Sequence, residues 1–254
     1  VQRAKFLKPC CGYWIKMTDA RRLVHELRAR AELSDESDWA TTPVLTKEAA
    51  VAAVPEGLAG LAATVAACRK CPLGSQRLNP AFGVGNAQAE VMFIGEGPGF
   101  DEDRQGEPFV GKAGQLLDKI LVAMGLNRQA VYIANIVKCH PMLDPSTPEK
   151  RGNDRPPTPD EMAACRDYLE EQVRLVRPRF IVALGGIAAK ALLHSETGIM
   201  KLRGQWHEFV PGAGLAPIPV MPTFHPAALL RNPEWKRDVW EDMKKLKTAL
   251  ESES

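Results

Sequence analysis

The sequence predicts a three-layer α/β fold built on a central four-stranded parallel sheet, and three observations carry that prediction. Four short apolar runs recur along the chain: EVMFIG (90–95), VYIANIV (131–137), RFIVALG (179–185) and IPVMPTF (218–224). Each has the near-continuous hydrophobicity of a strand buried on both faces. Helix-period segments separate them at 112–124, 159–175 and 186–194, as crossovers between parallel strands require. The composition, 45% hydrophobic and 25% charged over 254 residues, is that of a chain able to bury a large core.

In chain order, residues 1–16 read as a leader without assigned function, and residues 19–33 as a surface helix with leucines among arginines. The stretch SDESDWATTP then breaks that helix, so residues 1–55 are expected to be an appendage and residues 56–254 the main domain. EGLAGLAATVAAC (56–68) predicts a helix running into Cys68, and PEWKRDVWEDMKKLKTAL (233–250) predicts a closing helix. In parallel sheets ligands bind beyond the carboxyl ends of the strands. Three conspicuous stretches fall there: GEGPGFDEDRQGEPFVGKAG (95–114), NIVKCHP (135–141) and HPAALLRN (225–232).

A formal charge of +2 neither requires nor excludes a polyanion, so any such contact must be a local patch. No apolar run reaches the roughly 18 residues of a membrane span, and no secretion signal opens the chain, which predicts a cytoplasmic protein. The glycine loop fits nucleotides badly. A dinucleotide fingerprint needs a helix to begin within the loop, where Pro98 interrupts and acids would repel the pyrophosphate; a Walker loop needs Ser or Thr after the lysine of VGKAG. A flat neutral ligand against Phe109 suits it better. Of six cysteines, Cys10 and Cys11 read as idle thiols, whereas Cys68-x-x-Cys71 with Cys139 and Cys165 suits zinc, a redox pair or an iron–sulfur cluster.

GEGPGFDEDRQGEPFVGKAGQLL, NIVKCHP and TFHPAALLRNP together resemble the uracil-DNA glycosylase superfamily, specifically its family 4, the iron–sulfur enzymes of bacteria and archaea. The resemblance spans roughly residues 56 to 250. It implies a monomeric, monofunctional enzyme of base excision repair that hydrolyses uracil from single- or double-stranded DNA and leaves an abasic site. It further implies a [4Fe–4S] cluster on Cys68, Cys71, Cys139 and Cys165 that fixes Asn135 nearby. By the same resemblance Phe109 stacks on the flipped base, Asn135 reads it, and His225 stabilises the departing uracil anion. Glu96 and Gly97 shape the pocket, Glu102 orients water or braces the loop, and the loop's acids face a sugar cation. Leu229 is the expected wedge into DNA, with Arg231 and Lys112 on phosphates, joined by Lys236 and Arg237.

Two departures bear on specificity. Gly97 stands where family 4 carries alanine and other relatives carry a water-orienting aspartate, implying a wider pocket open to other deaminated bases. Gly99 stands where well-known relatives carry the aromatic that excludes thymine. LDPSTPEKRGNDRPPTP (143–159) reads as an exposed insertion. A related group that attaches covalently to DNA carries a histidine in this region; residues 141–158 have none, so turnover is expected, with His140 at the margin. The rivals are a non-catalytic iron–sulfur protein that binds damaged DNA, and covalent capture.

Overall fold

The structure, a computed structural model, describes residues 6–7, 15–16, 57–212 and 215–252. The chain divides into two units, Val1–Ala52 and Ala53–Ser254. Of the first, the structure describes β1 (Phe6–Leu7) and β2 (Ile15–Lys16), an antiparallel pair. The helix expected at 19–33, and Cys10 and Cys11, lie outside the described residues.

The second unit opens with α1 (Gly57–Ala67) and α2 (Leu73–Gln76), followed by the strands β3 (Val84–Gly85) and β4 (Val91–Gly95). Next come α3 (Phe100–Gln105), α4 (Lys112–Ala123), β5 (Tyr132–Asn135), α5 (Pro159–Val176), β6 (Phe180–Leu184) and α6 (Gly186–Leu193). The chain continues through α7 (Ile199–Leu202), β7 (His207–Phe209), β8 (Ile218–Thr223), α8 (Pro226–Arg231) and α9 (Lys236–Ser252). The sheet order is β3-β5-β4-β6-β8-β7. Its centre, β5-β4-β6-β8, is the expected parallel sheet, while β3 and β7 pair antiparallel on the two edges. These edge strands have two and three residues, too short to leave a hydrophobic period.

Burial on both faces explains the continuous apolar runs. Met92 and Ile94 of β4 pack with Val65, Leu169, Val173 and Leu192 on one side. Val91 and Phe93 pack with Leu117, Leu121, Met243 and Leu246 on the other. Helices α1, α5 and α6 thus cover one face, and α4 and α9 the opposite one. Helix α5 starts at a capping box, in which Thr158 accepts from the Glu161 N–H and Glu161 accepts from the Thr158 N–H, with Pro159 in the first turn.

Two segments differ from expectation. A helix, α3, does begin two residues after Pro98, because Gly99 takes the extended N-cap conformation and acids occupy the first turn. The insertion is exposed only in part: Asn153 and Pro157 are buried, and Met142 forms a β-bridge with Asp154. Asn153 donates to the carbonyls of Asp144 and Thr147 at 2.7 and 3.1 Å.

Candidate active site

The carboxyl ends of β4 and β5 lie side by side, with Gly95 opposite Asn135. A cavity of about 600 Å³ opens there, lined by Glu96, Gly97, Glu102, Phe109, Asn135 and His225, and rimmed by Lys112 and Arg231. These residues come from three separate stretches of chain, and the strand ends bring them together. Arg151, Gly152, Asp154, Arg155 and Pro156 line the same cavity, so the insertion is one of its walls.

Phe109 is 4% exposed and adopts a left-handed backbone with φ of 57°, an uncommon conformation for a residue with a side chain. Arg128 holds it there: its guanidinium donates to the carbonyls of Phe109 and Pro108, and Nε donates to Asp118 Oδ1 at 2.6 Å. Two glycines permit the fit. A Cβ at Gly114 would lie 1.7 Å from the Phe109 carbonyl oxygen, and one at Gly95 2.5 Å from both Phe109 Cζ and Asn135 Oδ1. The Phe109 ring stands 5.5 Å from the His225 ring, inclined by 30°.

Asn135 is 1% exposed, and its Oδ1 has no hydrogen-bond partner in the described protein. An unpaired buried acceptor costs on the order of 1–3 kcal/mol, so this atom is built to receive a donor from within the cavity. His225 N-caps α8, its Nδ1 accepting from the Ala227 N–H at 3.1 Å. That bond leaves the proton on Nε2. Burial, aided by the Arg231 charge, pushes the His225 pKa down to about 4, so the ring is neutral near pH 7 and available as a donor.

The loop carboxylates divide their tasks. Glu102 accepts from the backbone N–H groups of Gly99, Val110 and Gly111 at 3.2, 3.0 and 3.0 Å, and so braces the loop. Glu96, by contrast, has no side-chain hydrogen bond among the described residues, and burial raises its pKa above the ordinary carboxylate value. The acids flanking Glu102 also do structural work rather than facing the cavity freely. Asp101 takes two hydrogen bonds from Arg151, and the fully buried Asp103 accepts from the Leu78 and Asn79 N–H groups.

Two expectations are corrected. Leu229 is 1% exposed, packed in the core beside α4 and α9, and so is no surface wedge; its neighbour Leu230 is 48% exposed. The place a methyl group would take on Gly97 is filled by Val137, whose Cγ2 would lie 2.8 Å from such a Cβ, so glycine there does not widen the pocket. Lys236 borders a separate apolar groove with Trp240, and neither it nor Arg237 lines the cavity. His140 is 1% exposed, bonded through Nε2 to Asp154 Oδ1 at 2.7 Å, and stands outside the cavity lining.

The family model for the uracil DNA glycosylase superfamily matches residues 82–244. The chain belongs to the uracil DNA glycosylase superfamily, on its type-4 branch. Relatives of that branch include the type-4 uracil-DNA glycosylase of Archaeoglobus fulgidus, 40% identical over 75% of this chain and 92% of the relative. That of Thermotoga maritima is 41% identical over 73% and 91%, and that of Saccharolobus solfataricus 40% over 76% and 86%.

Elsewhere in the same unit is a corner of four free cysteines: Cys68 after α1, Cys71 before α2, Cys139 after β5 and Cys165 on α5. Cys71 and Cys165 lie within electrostatic reach of Cys139, and Cys68 and Cys71 of Cys165. Burial pushes the Cys139 thiol up to about 11, while Arg77, whose Nη1 donates to its Sγ at 2.9 Å, pulls it down. Among the described residues no three His, Cys, Asp or Glu side chains could hold a single metal ion. Tetrahedral zinc needs sulfurs about 3.8 Å apart, since Zn–S is about 2.3 Å. Four thiols gathered at one corner are a donor set that zinc or an iron–sulfur cluster can use.

Proposed function

We propose that this chain is a monofunctional uracil-DNA glycosylase of base excision repair, acting as a monomer on single- or double-stranded DNA in the cytoplasm. The observation that carries the reading is the unpaired, buried Asn135 Oδ1 of a cavity that an aromatic ring, Phe109, and a neutral histidine, His225, also line. Uracil answers each group. Its N3–H donates to Oδ1 and its O4 accepts from the amide nitrogen, whereas cytosine presents an acceptor at N3 and leaves Oδ1 unpaired.

Reaching the base requires flipping it from the stack. Stacking on Phe109 offsets part of that cost, about 1–3 kcal/mol. Leu230, exposed on α8, is the side chain suited to enter the vacated space, and Lys112 and Arg231 on the rim suit the flanking phosphates. As the C1′–N1 bond breaks, its electron pair leaves on uracil and gathers at O2. The His225 Nε2–H donates to that oxygen, a contact worth about 10²–10³ in rate. Water then bonds to C1′. Its proton passes to the Glu96 carboxylate, which has no hydrogen-bond partner among the described residues and whose raised pKa suits a general base. Glu102 keeps the loop closed around these groups.

Cys68, Cys71, Cys139 and Cys165 would hold a [4Fe–4S] cluster, which supplies a rigid cross-link between α1, α5 and the segment after β5. The free state of these thiols suits a reducing compartment. His140, buried and bonded to Asp154 outside the cavity lining, supports turnover over covalent capture. The test is release of base from a labelled uracil-containing oligonucleotide, read as strand cleavage after alkali, with Asn135→Ala and His225→Ala alongside. Alkali-dependent cleavage by the native chain that both variants lose is expected. Binding without cleavage by an intact native protein would overturn the reading.

A further inference from the structure

Lys138 is 0% exposed, and the chemistry described above makes no use of it. Lysine is almost never fully buried without a partner, and an isolated ammonium in the interior costs several kcal/mol. Yet no carboxylate reaches it among the described residues; its Nζ donates to the Asn135 carbonyl oxygen at 2.7 Å. The ionisable groups within its electrostatic reach are the thiols of Cys165 and Cys139. Its own backbone N–H donates to the Cys165 thiol. Lys138 therefore faces both ways, with its backbone on a cysteine of the corner and its side chain on the residue that reads the base.

A second cation completes the corner. Besides donating to Cys139 Sγ, Arg77 caps the end of α1 through the carbonyls of Val65 and Ala66 at 2.9 and 2.7 Å. Four neutral thiols would leave both cations without a counter-charge, whereas an oxidised [4Fe–4S] cluster held by four thiolates carries a net charge of about −2. We infer that Lys138 is a positioning residue that couples the cluster to base reading, its ammonium held between the cluster's negative charge and the Asn135 carbonyl so that the Asn135 amide is set for uracil. This inference rests on the cluster reading above. It also distinguishes the two cations: Arg77 touches the corner alone, while Lys138 touches the corner and Asn135.

The experiment uses the anaerobically purified full chain as wild type, Lys138→Met and Arg77→Gln. Iron and sulfide in the wild type come first; their absence there overturns the cluster reading, and the inference with it. With a loaded wild type, both variants are expected to shift the cluster's reduction potential downward in protein-film voltammetry and to shorten its lifetime under chelator, since each removes a positive charge. Base reading is then measured as binding to an oligonucleotide carrying uncleavable 2′-fluorodeoxyuridine against its cytidine counterpart. Lys138→Met should lose about tenfold of that preference, the scale of one lost hydrogen bond, while Arg77→Gln keeps it and Lys138→Arg restores part of it. An unchanged potential in loaded Lys138→Met would overturn the inference. So would an unchanged preference, or an equal loss in Arg77→Gln. If Lys138→Met does not fold, the pair Lys138→Arg and Arg77→Gln decides, with a preference altered only by Lys138→Arg as the supporting result and any other pattern against it.

Discussion

The loop that leaves β4 and the segment that leaves β5 start from paired residues, Gly95 and Asn135, yet they become rigid by opposite means. The loop is rich in glycine and has little core of its own, so a side chain must hold its backbone: Glu102 gathers three N–H groups. The segment after β5 is buried throughout, from Ile136 to Met142, and is held by packing, by Lys138 and by the cysteine corner. Among the described residues the loop leaves Glu96 without a hydrogen-bond partner, and β5 with the segment after it leaves Asn135 Oδ1 and His140 Nδ1. Satisfied polar groups hold the backbone in place, while two unsatisfied ones, Glu96 and Asn135 Oδ1, belong to residues that line the cavity.

The largest effect is expected from the segment. Asn135→Ala should cut uracil release about 10³-fold, because it removes both the reading contacts and the basis for rejecting cytosine; single-turnover rates on matched oligonucleotides measure it. His225→Ala should cost about 10²-fold. His225 also has a pH signature. From its ordinary 6.5 down to about 4, the unfolded chain accepts a proton that the folded chain refuses, so stability falls as pH drops through that window. Melting curves of His225→Asn between these limits should be flatter than those of the native chain.

The contrast between the two glutamates sharpens the comparison further. Glu96→Gln should lower the single-turnover rate by about 10² with little change in melting temperature. Since the carboxylate is the active form and burial raises its pKa, activity should rise with pH through that value, and the variant should lose this acidic limb. Glu102→Gln should do the reverse, lowering stability by about 1–3 kcal/mol as charged hydrogen bonds weaken, with a smaller loss of rate. Equal rate losses in the two would break the division of tasks.

The smallest functional effect is expected on α8. Leu229→Ala should destabilise the fold by about 2–4 kcal/mol in denaturant titrations. Leu230→Ala should change stability by less than about 0.5 kcal/mol while weakening capture of the flipped base several-fold.

Much of this site was legible because motifs and strand patterns are local. The four central strands announced themselves through apolar runs, and the Asn135, His225 and Phe109 stretches through their places after those runs. The edge strands β3 and β7 were too short to show a period. Helix α3 was hidden by Pro98, which precedes its cap instead of interrupting it. Leu229 and Leu230 are neighbours of one residue type, and only the packing of α8 against α4 and α9 separates a core side chain from an exposed one. Nothing in DED at 101–103 is visible as pairing with Arg151, with loop N–H groups and with the backbone at Leu78 and Asn79, because those partners are distant in sequence or set by the turn.

By itself, the sequence determined the layered α/β architecture, the stretches that meet at the strand ends and the kinds of chemistry they carry, since periodicity and residue type are properties of short segments. Tertiary structure alone decided which of those groups remain unpaired. Whether Glu96 or Glu102 is free, whether the insertion forms a wall, and whether Lys138 is buried between a cysteine corner and the Asn135 carbonyl all depend on contacts between segments far apart in the chain. Burial and hydrogen-bond satisfaction belong to the packed interior, and no short stretch contains them.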